Sequence, residues 1–324
     1  ASIREVMRAL RASGNPALGG DLVTQVTGER LEFSPIDGDP PRLEAAAPIE
    51  GDALAARSVS GEPVPGFGAF LDGIQNSRVI RHLASGVPLV HGTVAAVVRV
   101  RVDRALSTWQ RAPRIEQAVF VPVSLVGDAV VETLRSAGIP FIDTLDGDVA
   151  NSNRHPQELL GLARTAVQRR REVLETSLAE LWCEQEEAPL FVDGGISGRG
   201  AAARSDRAVG VVKSHRTLYA SGDTVSVVTT LAEGERTTGF EIRSPRRTVV
   251  ASWYLRLRGA GGRDPFFGLV RVEVARESFS AARADLVSRW ILAERAPVSL
   301  PDKRWSTMAY GIRDCEEYLR AVTG

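Results

Sequence analysis

Three carboxylates stand where they could do chemistry together. Phe70-Leu71 runs into Asp72-Gly73, and Leu190-Phe191-Val192 runs into Asp193-Gly194-Gly195. Between them, Glu175 lies in the helix-forming text REVLETSLAELW. Carboxylate oxygens gathered from strand ends and a neighbouring helix are the hard donors that Mg²⁺ or Mn²⁺ takes. A divalent ion held in that way can activate water against a phosphodiester. Lys213 closes the next apolar run, AVGVVK, where an ammonium group would offset phosphate charge.

Each residue alone has a plainer reading. Asp-Gly is a common turn pair, a glutamate in an Arg/Glu-rich helix is usually solvated, and a lysine at a strand end often snorkels to water. The joint order of strand-Asp, helix-Glu, strand-Asp is what carries information. On a helical wheel positions 171, 175, 178 and 182 share one face. Glu175 therefore flanks Leu178 and Trp182, while Glu172 points to solvent.

The elements that must position these groups follow from periodicity. Residues 1–15 predict a short amphipathic helix, and 15–65 are rich in Pro, Gly and Ala, with a strand pair expected at Leu22–Thr27 and Arg30–Phe33. That composition predicts an N-terminal arm or cap over residues 1–65 and a main domain over 66–324. Strands are expected at Thr93–Val102, Val119–Val126, Thr224–Leu231, Thr238–Arg243, Thr248–Arg258 and Phe267–Val274. Helices are expected at Asp128–Ala137, Pro156–Glu187, Ser278–Glu294 and Ile312–Val322. Strands first, a long helix, then more strands and a helical tail predict an α/β fold with a mixed sheet.

Composition sets the outer limits. The chain has 324 residues, 44% of them hydrophobic and 25% charged, with a formal net charge of zero. That is ordinary for a globular protein, and global charge does not announce a nucleic-acid binder. Lysine occurs only at Lys213 and Lys303, so the basic residues are almost all arginine. No apolar run of about eighteen residues predicts a membrane span. The opening ASIREVMRAL lacks the basic-then-apolar layout of a signal peptide, and a cytoplasmic protein is expected. Cys183 and Cys315 are too few for a disulfide framework or a thiolate zinc site. The four histidines show no paired metal-ligand spacing, Gly194–Gly198 is not a phosphate loop, and Ser197 lacks the frame of a hydrolase elbow.

Order and wording together resemble the ribonuclease-H-like fold, and within it the NurA family of DNA-end-processing nucleases. FLDGIQNS resembles the family's first-strand Asp-Gly-Ser motif, with three residues interposed before Ser77. REVLE and LFVDGGISG resemble its helix and its second Asp-Gly strand. VGVVKSH resembles the strand with its lysine, and FGLVRVEV the Arg-x-Glu strand, here Arg271 and Glu273. The likeness spans roughly residues 66–322. It implies a deoxyribonuclease dependent on Mn²⁺ or Mg²⁺, with Asp72, Glu175 and Asp193 as metal ligands, Lys213 beside the phosphate and Arg271 as an accessory. Where the family carries Ala-His, this chain has Ala309-Tyr310, so Tyr310 is expected near the carboxylates but as a weak ligand at best, its phenol having a pKa of about 10. The implied partners are DNA, a second copy of the chain and a HerA-type hexameric ATPase. Two alternatives stay open: a catalytically weak, nuclease-derived interaction subunit of that ATPase, and a related enzyme acting on RNA.

Overall fold

In a computed structural model that describes residues 1–13, 40–83, 85–103, 105–145, 154–295 and 305–323, the longest strands are β1 (Ala69–His82) and β2 (Pro88–Val102). Both are rich in β-branched and apolar residues, and the turn between them includes Gly86 at φ +77°. They pair antiparallel, with Leu71 opposite Val98 and Asp72 opposite Val97. Strand β3 (Arg114–Val121) pairs antiparallel with the outer side of β2. On the other side of β1 lies β4 (Leu190–Asp193), parallel to it, and then β5 (Ala208–Val212), parallel to β4. The strand order β3-β2-β1-β4-β5, antiparallel for the first three and parallel for the last two, is the order of a ribonuclease-H-like sheet.

The sheet continues through β6 (Val250–Arg256) and β7 (Leu269–Ala275), with β7 antiparallel to both β5 and β6. Among the described residues, six shorter strands complete a thirteen-stranded mixed sheet. Flanking it, among the described residues, are five helices of nine or more residues: α1 (Ile3–Ala12), α2 (Asp128–Ser136), α3 (Pro156–Gln185), α4 (Ala281–Glu294) and α5 (Tyr310–Thr323). Thirty residues long, α3 begins with Pro156 in its first turn and His155 as its cap, its ring Nδ1 accepting from the Gln157 amide at 3.2 Å. Its stripe of Val167, Leu174, Leu178 and Trp182 packs on Leu71, Val94, Val192 and Leu190. The opposite face, with Phe70, Val97, Phe191 and Val211, is covered by Ile312, Cys315 and Leu319 of α5 and by Val287 and Ile291 of α4. A third cluster joins α1 and α2 to the outer part of β1, β2 and β3.

Several expectations need correction. Asp72 does not end a strand: it is the fourth residue of a fourteen-residue one, and Asp72-Gly73 is no turn. The strand expected at 119–126 begins earlier, at Arg114, and stops at Val121, because Pro122 opens a helical turn over Val123–Val126. The text TVSVVT, expected as a strand, is helical over Thr224–Thr229. Its buried Val228 and half-buried Val225, with Leu231 just beyond, are spaced by three, and hydroxyls of Ser226 and Thr229 and of the following Thr230 donate to preceding carbonyls. The strand pair expected at 22–33 lies outside the described residues. Further on, residues 40–64 supply short strands to late parts of the chain: Arg42–Glu44 pairs with Thr217–Tyr219, Ala47–Pro48 with Phe240–Ile242, and Ala56–Ser58 with Glu235–Thr237.

Candidate active site

Strand alternation decides which carboxylates can meet. On β1, Ala69 and Leu71 face α3 while Phe70 faces α5. Asp72 therefore points to the α5 side, as does its cross-strand neighbour Val97. On β4 the same count holds: Phe191 packs on the α5 side, and Asp193, in register with Val211, joins it there. Leu71 pairs with Val192, so the two aspartates lie one step further along adjacent parallel strands, on one face.

Asp72 is 6% exposed. Its Oδ1 accepts from the Gly73 amide at 2.7 Å, while Oδ2 is buried and meets no donor. Its pKa is raised well above the usual carboxylate value, first by burial and then by the charge of Asp193. Lys213 works against that rise, and the charges of Glu175 and Glu316 add to it. Lys213 lies two residues beyond Val211 and sets its Nζ 2.9 Å from Asp193 Oδ1, an ion pair without a hydrogen bond's angles. Cys315 of α5 donates its thiol to the Phe70 carbonyl at 3.4 Å, and its pKa is raised well above normal by burial and then by Asp72.

Glu175 is buried, at 3% exposure, and Glu172 is exposed, so the helix phase read from the sequence is right. Its carboxylate nevertheless lies on the other side of the sheet. It sits over Gly73, where a side chain would collide with it. There it is engaged by arginines: Arg199 Nη2 donates to Oε2 at 2.8 Å, and Arg171 Nε lies 3.4 Å from Oε1. Arg271 and Glu273 share that face, paired with each other at 2.8 Å. Tyr310 is 60% exposed at the start of α5 and lies near Arg101, whose amide bonds Gly68 near the start of β1. The α5 residues that bear on Asp72 are Cys315 and Glu316 instead. The structure thus brings together Asp72, Asp193 and Lys213. It separates Glu175, Arg271 and Tyr310 from them. Among the described residues no three His, Cys, Asp or Glu side chains converge to hold a metal ion.

The turn that follows Asp193 is held from two sides. Arg199, 8% exposed, donates Nε to the Gly195 carbonyl at 3.1 Å and Nη2 to the Asp193 carbonyl at 3.4 Å. Glu273, 2% exposed, accepts through Oε2 from the amides of Ile196 at 2.8 Å and Ser197 at 3.3 Å. Gly194 takes φ +99°, and a Cβ on Gly195 would sit 2.9 Å from Glu273 Oε2, so both glycines are required. Sequence reading missed Arg199 because nothing distinguishes it among so many arginines; its one signal is closeness to the Asp193-Gly194-Gly195 turn. A separate cleft of about 690 Å³ opens between α3 and β3, lined by Phe120, Ile142, Leu162 and Arg170 among others, and neither aspartate lines it.

No protein-family model matches the chain, and no curated protein matches it in sequence. Among solved structures it is similar to the NurA nuclease from Sulfolobus solfataricus, with a TM-score of 0.46 and 11% identity over 85% of this chain and 81% of that one.

Proposed function

We propose that the chain is a divalent-metal-dependent nuclease that hydrolyses phosphodiester bonds in DNA at Asp72 and Asp193. The observation that carries this reading is the buried, unpartnered Oδ2 of Asp72 beside a second aspartate on the neighbouring parallel strand. An oxygen left without a donor in a dry site is costly, and a bound cation would offset that cost. Mg²⁺ commonly takes only one or two carboxylates, completing its shell with water and substrate phosphate. Two aspartates fit that donor set, and Glu175, already bonded to Arg199, adds no third ligand. Mg²⁺ or Mn²⁺ held there would supply Lewis acidity and a more acidic water.

The chain's own groups have separable tasks in this reading. Asp72 and Asp193 would hold the ion from adjacent strands of one sheet. Lys213 leaves Asp193 for the phosphate as substrate enters and offsets its charge. Partners in the same reading are a second copy of the chain and a HerA-type hexameric ATPase, on the strength of the sequence resemblance. Sedimentation and co-purification with a HerA-type protein test them.

Asp72→Asn and Asp193→Asn should each abolish Mn²⁺-dependent cleavage of plasmid and linear DNA, and Glu172→Ala should leave it intact. Wild-type protein that cleaves no DNA with either metal overturns the reading. A second reading would then take its place, because cations of the chain itself already occupy the carboxylates: Lys213 on Asp193, Arg199 and Arg171 on Glu175. That arrangement favours a catalytically weak subunit whose work is to organise the ATPase.

A further inference from the structure

We propose that the buried pairs Glu175–Arg199 and Arg271–Glu273 form a clamp that positions Asp193, and that Glu175 acts through Arg199 and not on a metal. The inference rests on the nuclease reading for what Asp193 does, but its geometry stands apart from it. The turn at 193–197 offers carbonyls on one side and amides on the other. A cation takes the carbonyls: Arg199 bonds those of Asp193 and Gly195. An anion takes the amides: Glu273 bonds those of Ile196 and Ser197. Neither charge would persist buried without a partner, and each has one, Arg199 from another element and Glu273 from its own strand. Glu175 of α3 holds Arg199 at 2.8 Å, and Arg271 of β7 holds Glu273 at 2.8 Å.

The Asp193 backbone is thereby tied to the helix on one side and to the seventh strand on the other. A carboxylate must be held to within about 0.5 Å to serve a reacting centre, and a four-residue strand followed by two glycines cannot supply that by itself. The clamp gives a glutamate buried on the α3 side of the sheet a task at the site on the α5 side. It also explains the small residues at Gly73 and Gly195, which leave room for Glu175 and Glu273 respectively.

The test uses the full chain and four variants: Glu175→Gln, Arg199→Met, Arg199→Lys and the doubly substituted, charge-neutral E175Q/R199M. Three quantities are measured: Mn²⁺ binding from the electron paramagnetic resonance signal of free Mn²⁺, kcat and KM for DNA cleavage, and amide hydrogen exchange over 194–197. Positioning predicts losses of about 10–100-fold in kcat, with KM for DNA unchanged and Mn²⁺ still bound. The double substitution should be no worse than either single one, and Arg199→Lys should recover part of the loss. Exchange over 194–197 should rise in Glu175→Gln and Arg199→Met alike. Glu175→Gln that loses Mn²⁺ as completely as Asp193→Asn overturns the proposal and makes Glu175 a ligand. Unchanged exchange over 194–197 overturns it whatever activity does. If wild type neither binds Mn²⁺ nor cleaves while exchange still rises in the variants, the clamp stands and the nuclease reading falls.

Discussion

Asp72 can be charged only at a cost, since its Oδ2 is buried without a donor and the charge that bears on it most is another aspartate's. Its folded pKa is raised above the unfolded value of about 3.9. A carboxyl shifted upward contributes stability that is complete below the unfolded pKa and is lost as pH climbs through the folded one. Metal-free Asp72→Asn should therefore melt higher than wild type at pH 8, by about 1–3 kcal/mol of stability. The gap should close as pH falls toward 4, and thermal melts in chelator across that range would show it. An Asp72→Asn protein less stable than wild type at pH 8 would mean that Oδ2 has a donor after all. Tyr310 gives the opposite expectation. Exposed and near Arg101, it lies apart from the aspartates, so Tyr310→Phe and Tyr310→His should leave Mn²⁺ affinity and cleavage within about twofold of wild type, measured by titration and by rate. The aspartates were legible in the sequence because each follows an apolar run. The separation of Glu175 from them was not, because a helical wheel gives a residue's phase on its own helix and says nothing of which face of the sheet that helix covers.

Among elements, the long helix and the buried strands could be read from the text because their apolar positions recur with one period over many residues. Where period and propensity disagreed, propensity misled: the β-branched residues of Thr224–Thr229 turned helical, their hydroxyls bonding preceding carbonyls. Composition was no guide to the stretch 40–64. Its Pro, Gly and Ala content suggested an arm, yet Glu50 is buried there against Arg236, which is itself fully buried. Arg236 donates to both oxygens of Glu50, at 2.7 and 3.0 Å, and to Asp285 at 2.6 Å. One side chain thus fastens the early segment to a late strand and to α4. Removing it leaves Glu50 buried without its main counter-charge, for which about 3–5 kcal/mol is the usual loss. Arg236→Ala should lower unfolding free energy by that amount in urea. A loss under about 1 kcal/mol would show that Arg57, 3.0 Å from Glu50, takes over.

For the molecule as a whole, periodicity made the sheet's class legible, and its order was legible only through the resemblance to the ribonuclease-H-like fold, since nothing in the wording of β4 says that it docks beside β1 and parallel to it. That docking has a consequence in time. The strand carrying Asp72 and the strand carrying Asp193 are immediate neighbours in space, yet about 120 residues of sequence lie between them. At a synthesis rate of about 5–20 residues per second, β1 waits on the order of ten seconds for its parallel neighbour. Its antiparallel partner β2 arrives almost at once, which leaves the other edge of Ala69-Phe70-Leu71 open through the interval. An apolar strand edge is a template for pairing with another chain. Refolding yield should accordingly fall as protein concentration rises, and a chain stopped before Leu190 should be insoluble. Equal yields at low and high concentration would show that β1 is sheltered before β4 exists. The same adjacency that sets two aspartates side by side makes the newborn chain dependent on whatever keeps its copies apart.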